Sequence, residues 1–176
     1  IKDVRSLTWS ARHLDRVLLT QVDRTAWMEQ AELVKDKMTD ELIERSIRNM
    51  PEEVYAVSGK EIIARLKARR NNLEAYILKY YHLLAKQVDV LGSAEAEAFT
   101  VDRRMDKTVF VTVTPASGTD TLYARTFFPD ETKEIRLYGL GNEDTFTVRG
   151  ESRKSILVRI IGGKEADRVQ DFSSVK

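Results

Sequence analysis

The stretch Ile135-Arg136-Leu137-Tyr138-Gly139 lines up with Val158-Arg159-Ile160-Ile161-Gly162, and at the same offset Asp144 matches Asp167 and Phe146 matches Val169. Each copy alternates apolar and polar residues, then places a glycine ahead of an aspartate. Alternation is the signature of a half-buried strand, because successive side chains point to opposite faces. Self-similarity at a fixed period is the signature of stacked turns. The repeat therefore predicts strands that return to equivalent places. With two copies, both a sandwich and a short β-helix with stacked turns remain open.

Upstream of the repeat the alternation continues. Phe99, Val101 and Arg103 form one run, and Val109, Val111 and Val113 a second. Pro115-Ala116-Ser117-Gly118 is turn chemistry, and Tyr123, Arg125 and Phe127 suit the returning strand of a hairpin. Pro129-Asp130 ends that run. Strands at Ile135–Leu137, Phe146–Val148 and 156–160 follow, giving six or seven in all.

Composition changes near Gly92. Before it Leu, Ala, Glu, Lys and Arg dominate; after it come six of the eight glycines and most of the Val-Thr alternation. The expected division is a helical part over 1–92 and a β-rich part over 93–176. About four helices are predicted in the first part: residues 12–19; one capped by Asp23 or Thr25, with Trp27, Ala31, Val34 and Met38 on one face; one capped by Thr39 or Asp40; and a long one. The long helix opens on Ser58 and Glu61, a capping-box spacing, and runs through Ile62, Leu66, Leu73, Tyr76, Ile77, Tyr80 and Leu84, with Gly92 just beyond its end. Runs of helices followed by runs of strands make an α+β chain, here an N-terminal bundle followed by the β region. Trp27, Val34, Ile43, Ile62, Leu66, Tyr76, Ile77, Val111, Phe127, Leu137, Phe146, Val158 and Ile160 are the expected core.

Several function classes are excluded or disfavoured. The chain has 176 residues and no cysteine, so it has no disulfide framework, thiolate zinc site or cysteine nucleophile. With 29 basic and 28 acidic residues the net charge is +1, which argues against nucleic acid as the main partner. The longest uncharged stretch, 108–119, contains Pro115 and Gly118 and falls short of the ~20 apolar residues of a spanning helix. The first residue is Ile1, which suggests a piece of a longer protein. His13 and His82 are separate and lack companion ligands, and no G-x-S-x-G or S-x-x-K nucleophile pattern is present.

Two candidate sites emerge. The repeat partly matches the calcium-binding pattern G-G-x-G-x-D-x-U-x, with Asp167 after Gly162-Gly163 and Asp144 after Gly139. Glu165 replaces the third glycine of the later copy, and calcium needs six to eight oxygens, so Asp144 and Asp167 more simply close turns. The second candidate is the cationic run Arg65, Lys67, Arg69 and Arg70, suited to an anionic membrane surface or to pairing with local acidic neighbours. No catalytic or cofactor-binding residue is assigned.

The stretch Ile62-Ile63-Ala64-Arg65-Leu66-Lys67-Ala68-Arg69-Arg70-Asn71-Asn72-Leu73, with Tyr80-Tyr81 and Leu84-Ala85-Lys86-Gln87-Val88-Asp89-Val90, resembles large cell-envelope proteins of Bacteroidetes. So does Thr126-Phe127-Phe128-Pro129-Asp130-Glu131-Thr132-Lys133-Glu134-Ile135-Arg136-Leu137-Tyr138-Gly139-Leu140-Gly141. Those proteins often carry the label metallophosphoesterase or surface antigen, and in them such a segment precedes a C-terminal outer-membrane β-barrel. The resemblance implies a periplasmic or cell-surface, outer-membrane-associated location, with other domains of the same longer protein as partners. It implies a non-catalytic linking module. The alternative is the C-terminal portion of a phosphoesterase-type enzyme whose active centre lies outside this sequence. The His and Asp motifs of a phosphoesterase module are absent, so no catalytic residue carries over.

Overall fold

The structure, a computed structural model, describes residues 4–175 and is an α+β arrangement of helices followed by two open sheets. The helices are α1 (Val4–Leu7), α2 (Arg12–Leu18), α3 (Arg24–Lys37), α4 (Asp40–Arg48), α5 (Glu52–Val54), α6 (Lys60–Asn71) and α7 (Leu73–Ala85), with a π-helical turn at Tyr55–Gly59. Contacts divide the chain into two units: α1 with Arg24–Tyr81, and Thr8–Asp23 with residues 82–175. The division therefore falls ahead of the composition shift at Gly92, and α2 joins the β-rich unit.

In the helical unit Thr39 caps α4 as expected, its Oγ1 accepting the Leu42 N–H at 3.1 Å. The Ser58–Glu61 capping box does not form. Ser58 lies inside the π turn and its hydroxyl donates to the Val54 carbonyl at 3.1 Å. The chain enters α6 already helical, with Gly59 at φ −56° and ψ −48°, so no open first turn remains there to cap. The expected long helix is also two helices. Asn72, at φ −102° and ψ 7°, separates them, and its Nδ2 donates to the Ala68 carbonyl at 2.8 Å. Such side-chain to backbone bonding competes with helix propagation.

Ile43 is buried as expected, and Trp27, Ile62, Leu66, Tyr76 and Ile77 are half-buried. Trp27 meets Tyr80 edge to face, with ring centroids 5.9 Å apart. Val34 is exposed, contrary to expectation. The inward stripe of α3 passes through Trp27, Ala31, Lys35 and Met38, and Lys35 takes the turn assigned to Val34. A lysine can do so because its stem is apolar while its ammonium pairs with Glu74.

The β-rich unit contains β1 (Gln87–Leu91), β2 (Glu97–Arg103), β3 (Val109–Pro115), β4 (Tyr123–Phe127), β5 (Glu134–Tyr138), β6 (Thr145–Ser152), β7 (Leu157–Ile161), β8 (Arg168–Asp171) and β9 (Ser174–Val175). One sheet has the order β1-β5-β7, with every pair parallel. The other has the order β4-β3-β2-β6-β8, where β2, β6 and β8 run parallel and β3–β4 is the expected antiparallel hairpin. The chain passes from the first sheet to the second three times: β1 to β2, β5 to β6, and β7 to β8. This is the pairing of stacked coils; a sandwich of meandering strands would pair them antiparallel.

Residues 87–91 were expected to end the long helix, yet they form β1. Val88 and Val90 point inward between Gln87, Asp89 and Leu91, and each finds a partner on β5. Paired strands bury a β-branched alternation better than a helix end does. Inside the stack Val88, Ile135 and Val158 form one column, and Val90, Leu137 and Ile160 another. Phe99 stacks on Phe146 with centroids 4.6 Å apart, and Val169 is next in register. Val111, Phe127, Leu137 and Phe146 are buried as expected, whereas Val158 and Ile160 are partly exposed.

Candidate interaction surface

Each coil turns from one sheet to the other through the same unit, a glycine followed five residues later by a carboxylate. These are Gly92 and Glu97, Gly139 and Asp144, and Gly162 and Asp167. Two of the carboxylates, those of Asp144 and Asp167, bind the turns of neighbouring coils together. Asp144 Oδ1 accepts the Glu97 N–H at 2.9 Å, and Asp167 Oδ1 accepts the Asp144 N–H at 3.0 Å. Asp167 Oδ2 accepts the Gly163 N–H at 2.7 Å, and Glu97 Oε2 accepts the Ser93 N–H at 3.1 Å. The glycines are required by these carboxylates. A Cβ at Gly139 would run into Asp144, and one at Gly92 would lie 2.6 Å from Glu97 Oε2.

This geometry assigns Asp144 and Asp167 to the backbone of the stack. Asp144 is 1% exposed, and its Oδ2 has no hydrogen-bond partner. Burial raises its pKa above the ordinary carboxylate value against the opposing effect of the Glu97 N–H, and Glu97, Asp167 and Glu165 raise it further. Among the described residues no group of three or more His, Asp or Glu side chains is placed to hold a metal ion.

The cationic run on α6 is divided in the structure. Lys67 Nζ lies 2.9 Å from Asp40 and 2.7 Å from Glu44. Arg70 Nη2 lies 2.7 Å from Asp40, and Nη1 donates to the Met38 carbonyl at 2.7 Å. These two side chains tie α6 to α4. Arg65 pairs along its own helix with Glu61, and Arg69 is exposed. Hydrogen bonds from Lys67 first, then Arg70, hold the Asp40 carboxyl below its usual pKa. His13 and His82 are both exposed, and Ser58 is engaged as described. No helix among the described residues is long and apolar enough to cross a membrane.

The two ends of the coil stack differ. On the first coil, β2 is covered by the β3–β4 hairpin, and α2 lies against β1, where Arg16 Nη1 donates to the Gln87 carbonyl at 3.2 Å. The segment after α2 is fastened to the hairpin. The Thr20 carbonyl accepts from Tyr123 Oη at 3.0 Å and Arg125 Nη1 at 2.5 Å, and Gln21 Nε2 donates to the Leu122 carbonyl at 3.1 Å. A cleft of about 320 Å³ beside α2 has Glu97 as its one charged lining residue, and that carboxylate is bound to Ser93.

Among the described residues the third coil has no such cover, since β7 and β8 are both sheet edges. Along the aromatic column, exposure runs from 0% at Phe99 to 1% at Phe146 and 56% at Val169. Leu157, Phe172 and Val175 are also more than half exposed. A stacked array normally ends in a polar cap that hides its interior column. Among the described residues the first coil is covered and the interior column of the third is partly exposed.

Protein-family models, curated protein sequences and solved structures yielded no match to this chain.

Arg159 and the edge of β7 were not among the residues singled out from the sequence. The missing signal was a third copy of the repeat, Gln87-Val88-Asp89-Val90-Leu91-Gly92. It stands 47 residues before the second copy because the hairpin is inserted between them, and it ends on Glu97 where the others have aspartate.

Proposed function

We propose that this chain is a non-catalytic structural and interaction module. The observation that carries this reading is the commitment of the repeat's carboxylates to the backbone of a stack of coils. Among the described residues the apolar columns are left partly exposed on β7 and β8, a surface suited to contact with a further segment or a partner. The carboxylates that first suggest chemistry, Asp144 and Asp167, are committed to backbone N–H groups.

The resemblance extends the proposal to a setting. The module belongs to a cell-envelope protein of the Bacteroidetes type, is periplasmic or at the cell surface, and joins an upstream domain to an outer-membrane barrel. The helical unit serves there as a bundle of about four helices. An anionic membrane surface is a secondary partner through Arg65 and Arg69, because Lys67 and Arg70 are engaged with α4. A second reading, the C-terminal portion of a phosphoesterase-type envelope enzyme, is favoured by the exposed apolar side chains of Leu14 and Leu18 on α2 and of Leu33 and Val34 on α3.

A phosphatase assay of the chain with a chromogenic phosphomonoester, with and without chelator, tests the non-catalytic reading. No turnover is expected. Turnover abolished by chelation would overturn it.

A further inference from the structure

We infer that the cleft bounded by α2, the β3–β4 hairpin and the turn from β1 to β2 binds a small organic cation, an amine with N–H donors on an apolar body, and that Glu97 is its anchor. All of the lining belongs to the β-rich unit, and no residue of the third coil contributes to it. The inference therefore goes beyond the module reading and does not depend on it.

The cleft holds about 320 Å³. That is at the lower end of the ~300–1,000 Å³ typical of small-molecule sites. Its apolar lining comes from Val17 on α2, Leu91 at the end of β1, Val113 on β3 and Leu122 just before β4. Val113 is buried, whereas Val17, Leu91 and Leu122 are open to solvent. The two sides are fastened to each other, because Tyr123 Oη donates to the Thr20 carbonyl and Gln21 Nε2 donates to the Leu122 carbonyl. A ligand would therefore enter a preformed space with little left to order, which favours binding.

Glu97 selects the kind of ligand. It is 2% exposed, and no basic side chain lines the cleft with it. A buried carboxylate is costly unless it is paired. The repeat shows which donor is missing. In the later coils one carboxylate oxygen accepts an N–H of the preceding coil, Asp144 Oδ1 from Glu97 and Asp167 Oδ1 from Asp144. The other oxygen of Asp167 accepts from its own turn, at Gly163, just as Glu97 Oε2 accepts from Ser93, the residue in the same place after Gly92. Among the described residues the first coil has no coil before it. Glu97 Oε1 takes the Ser93 hydroxyl at 2.5 Å in place of a backbone donor. Each carboxylate oxygen accepts more than one hydrogen bond, so Oε1 retains capacity for an N–H donor. An ammonium group in the cleft supplies that donor together with the opposite charge, while its apolar body meets Val17, Leu91 and Leu122. An anion would be repelled by Glu97, and a neutral molecule would leave the charge unpaired.

The test titrates the whole chain with phenethylamine by calorimetry, beside phenethyl alcohol, which lacks the charge, and the N,N,N-trimethyl form of the amine, which lacks the N–H donors. Hydrogen exchange locates the site. Saturable binding of the amine is expected, with added protection at Ser93 and at residues 20–22. Both analogues should bind roughly tenfold more weakly or not at all. Glu97→Gln should remove the preference for the amine over the alcohol. Val17→Lys, at an exposed position of α2, places a competing ammonium at the cleft and should weaken the amine while leaving Glu97 intact, which keeps the test decisive if the glutamine variant folds poorly. Absence of binding, equal binding of all three probes, protection confined to other elements, or indifference to both substitutions would overturn the inference. Tighter binding of Nα-acetyl-lysine amide than of phenethylamine would also overturn it, by assigning the cleft to a lysine side chain.

Discussion

The backbone N–H of Asp144 donates to Oδ1 of Asp167, and Asp144 itself receives the N–H of Glu97 on the coil before. The three residues thus form a ladder that runs along the stack at the turn between the two sheets, Glu97 through its backbone N–H and Asp144 and Asp167 through their carboxylates. A carboxylate at that turn satisfies a backbone donor on the previous coil, which is why the glycine–acid spacing is repeated. The ladder's middle member is the most costly to change, because it is the most buried.

Asp144→Ala leaves the Glu97 N–H without its acceptor in a buried place. A loss of about 1–3 kcal/mol in urea unfolding is expected. Asp144→Asn keeps an acceptor and removes a charge that burial disfavours. Since the folded-state pKa of Asp144 is raised, the wild type loses stability as pH rises from the ordinary carboxylate pKa through the raised one. The asparagine variant should lack that decline and gain on the wild type over the same window.

Gly139→Ala places a methyl group against the Asp144 carboxylate inside the stack, and Gly162→Ala places one against Asp167 on the uncovered coil. Overpacking costs about 1–3 kcal/mol where neighbours cannot move. Thermal denaturation should show the larger loss for Gly139→Ala, because the third coil can yield and the second cannot.

Tyr123→Phe removes the hydroxyl that donates to the Thr20 carbonyl, with an expected loss of about 0.5–1.5 kcal/mol. Burial raises the pKa of this phenol, and the nearby Arg125 only partly offsets it. The proton is held more tightly in the folded state, so wild-type stability should fall once pH exceeds the ordinary phenol value of ~10. The phenylalanine variant should not share that alkaline decline.

Asp40→Asn breaks the bridge from α4 to Lys67 and Arg70. Because the Asp40 pKa is lowered on folding, its contribution is present above the ordinary carboxylate pKa and is lost as pH falls through the lowered value. Asp40 itself is exposed to solvent, so the difference in melting temperature between wild type and variant should be small and should shrink as salt is added. In vesicle cosedimentation, any binding to anionic lipid should respond to Arg69→Glu more than to Lys67→Gln.

The β region was legible where alternation and turn residues agreed, as in the hairpin from Val109 to Phe127 and in the two copies of the 23-residue repeat. The third copy was not, because an insertion displaced it and Glu97 stood in for aspartate. Gln87–Leu91 followed a helix so closely that helical spacing could be extended through it, and only pairing with β5 decides in favour of a strand. In the helical unit, Ser58 and Glu61 had the right spacing for a cap, but the chain was already helical before them. Local patterns state what a segment can do; whether an end is free to be capped, or a column has a next member, depends on elements far along the chain. For that reason Asp144 and Asp167 were legible as turn residues, while Arg159 gained meaning only from the strand beside it.

Native-state hydrogen exchange of the chain alone tests the central claim most directly, by comparing β5 and β6 with β7 and β8. The account predicts strong protection of β5 and β6, flanked on both sides, and markedly weaker protection of β7 and β8, whose outer sides face solvent. Equal protection in all four strands would contradict an uncovered third coil.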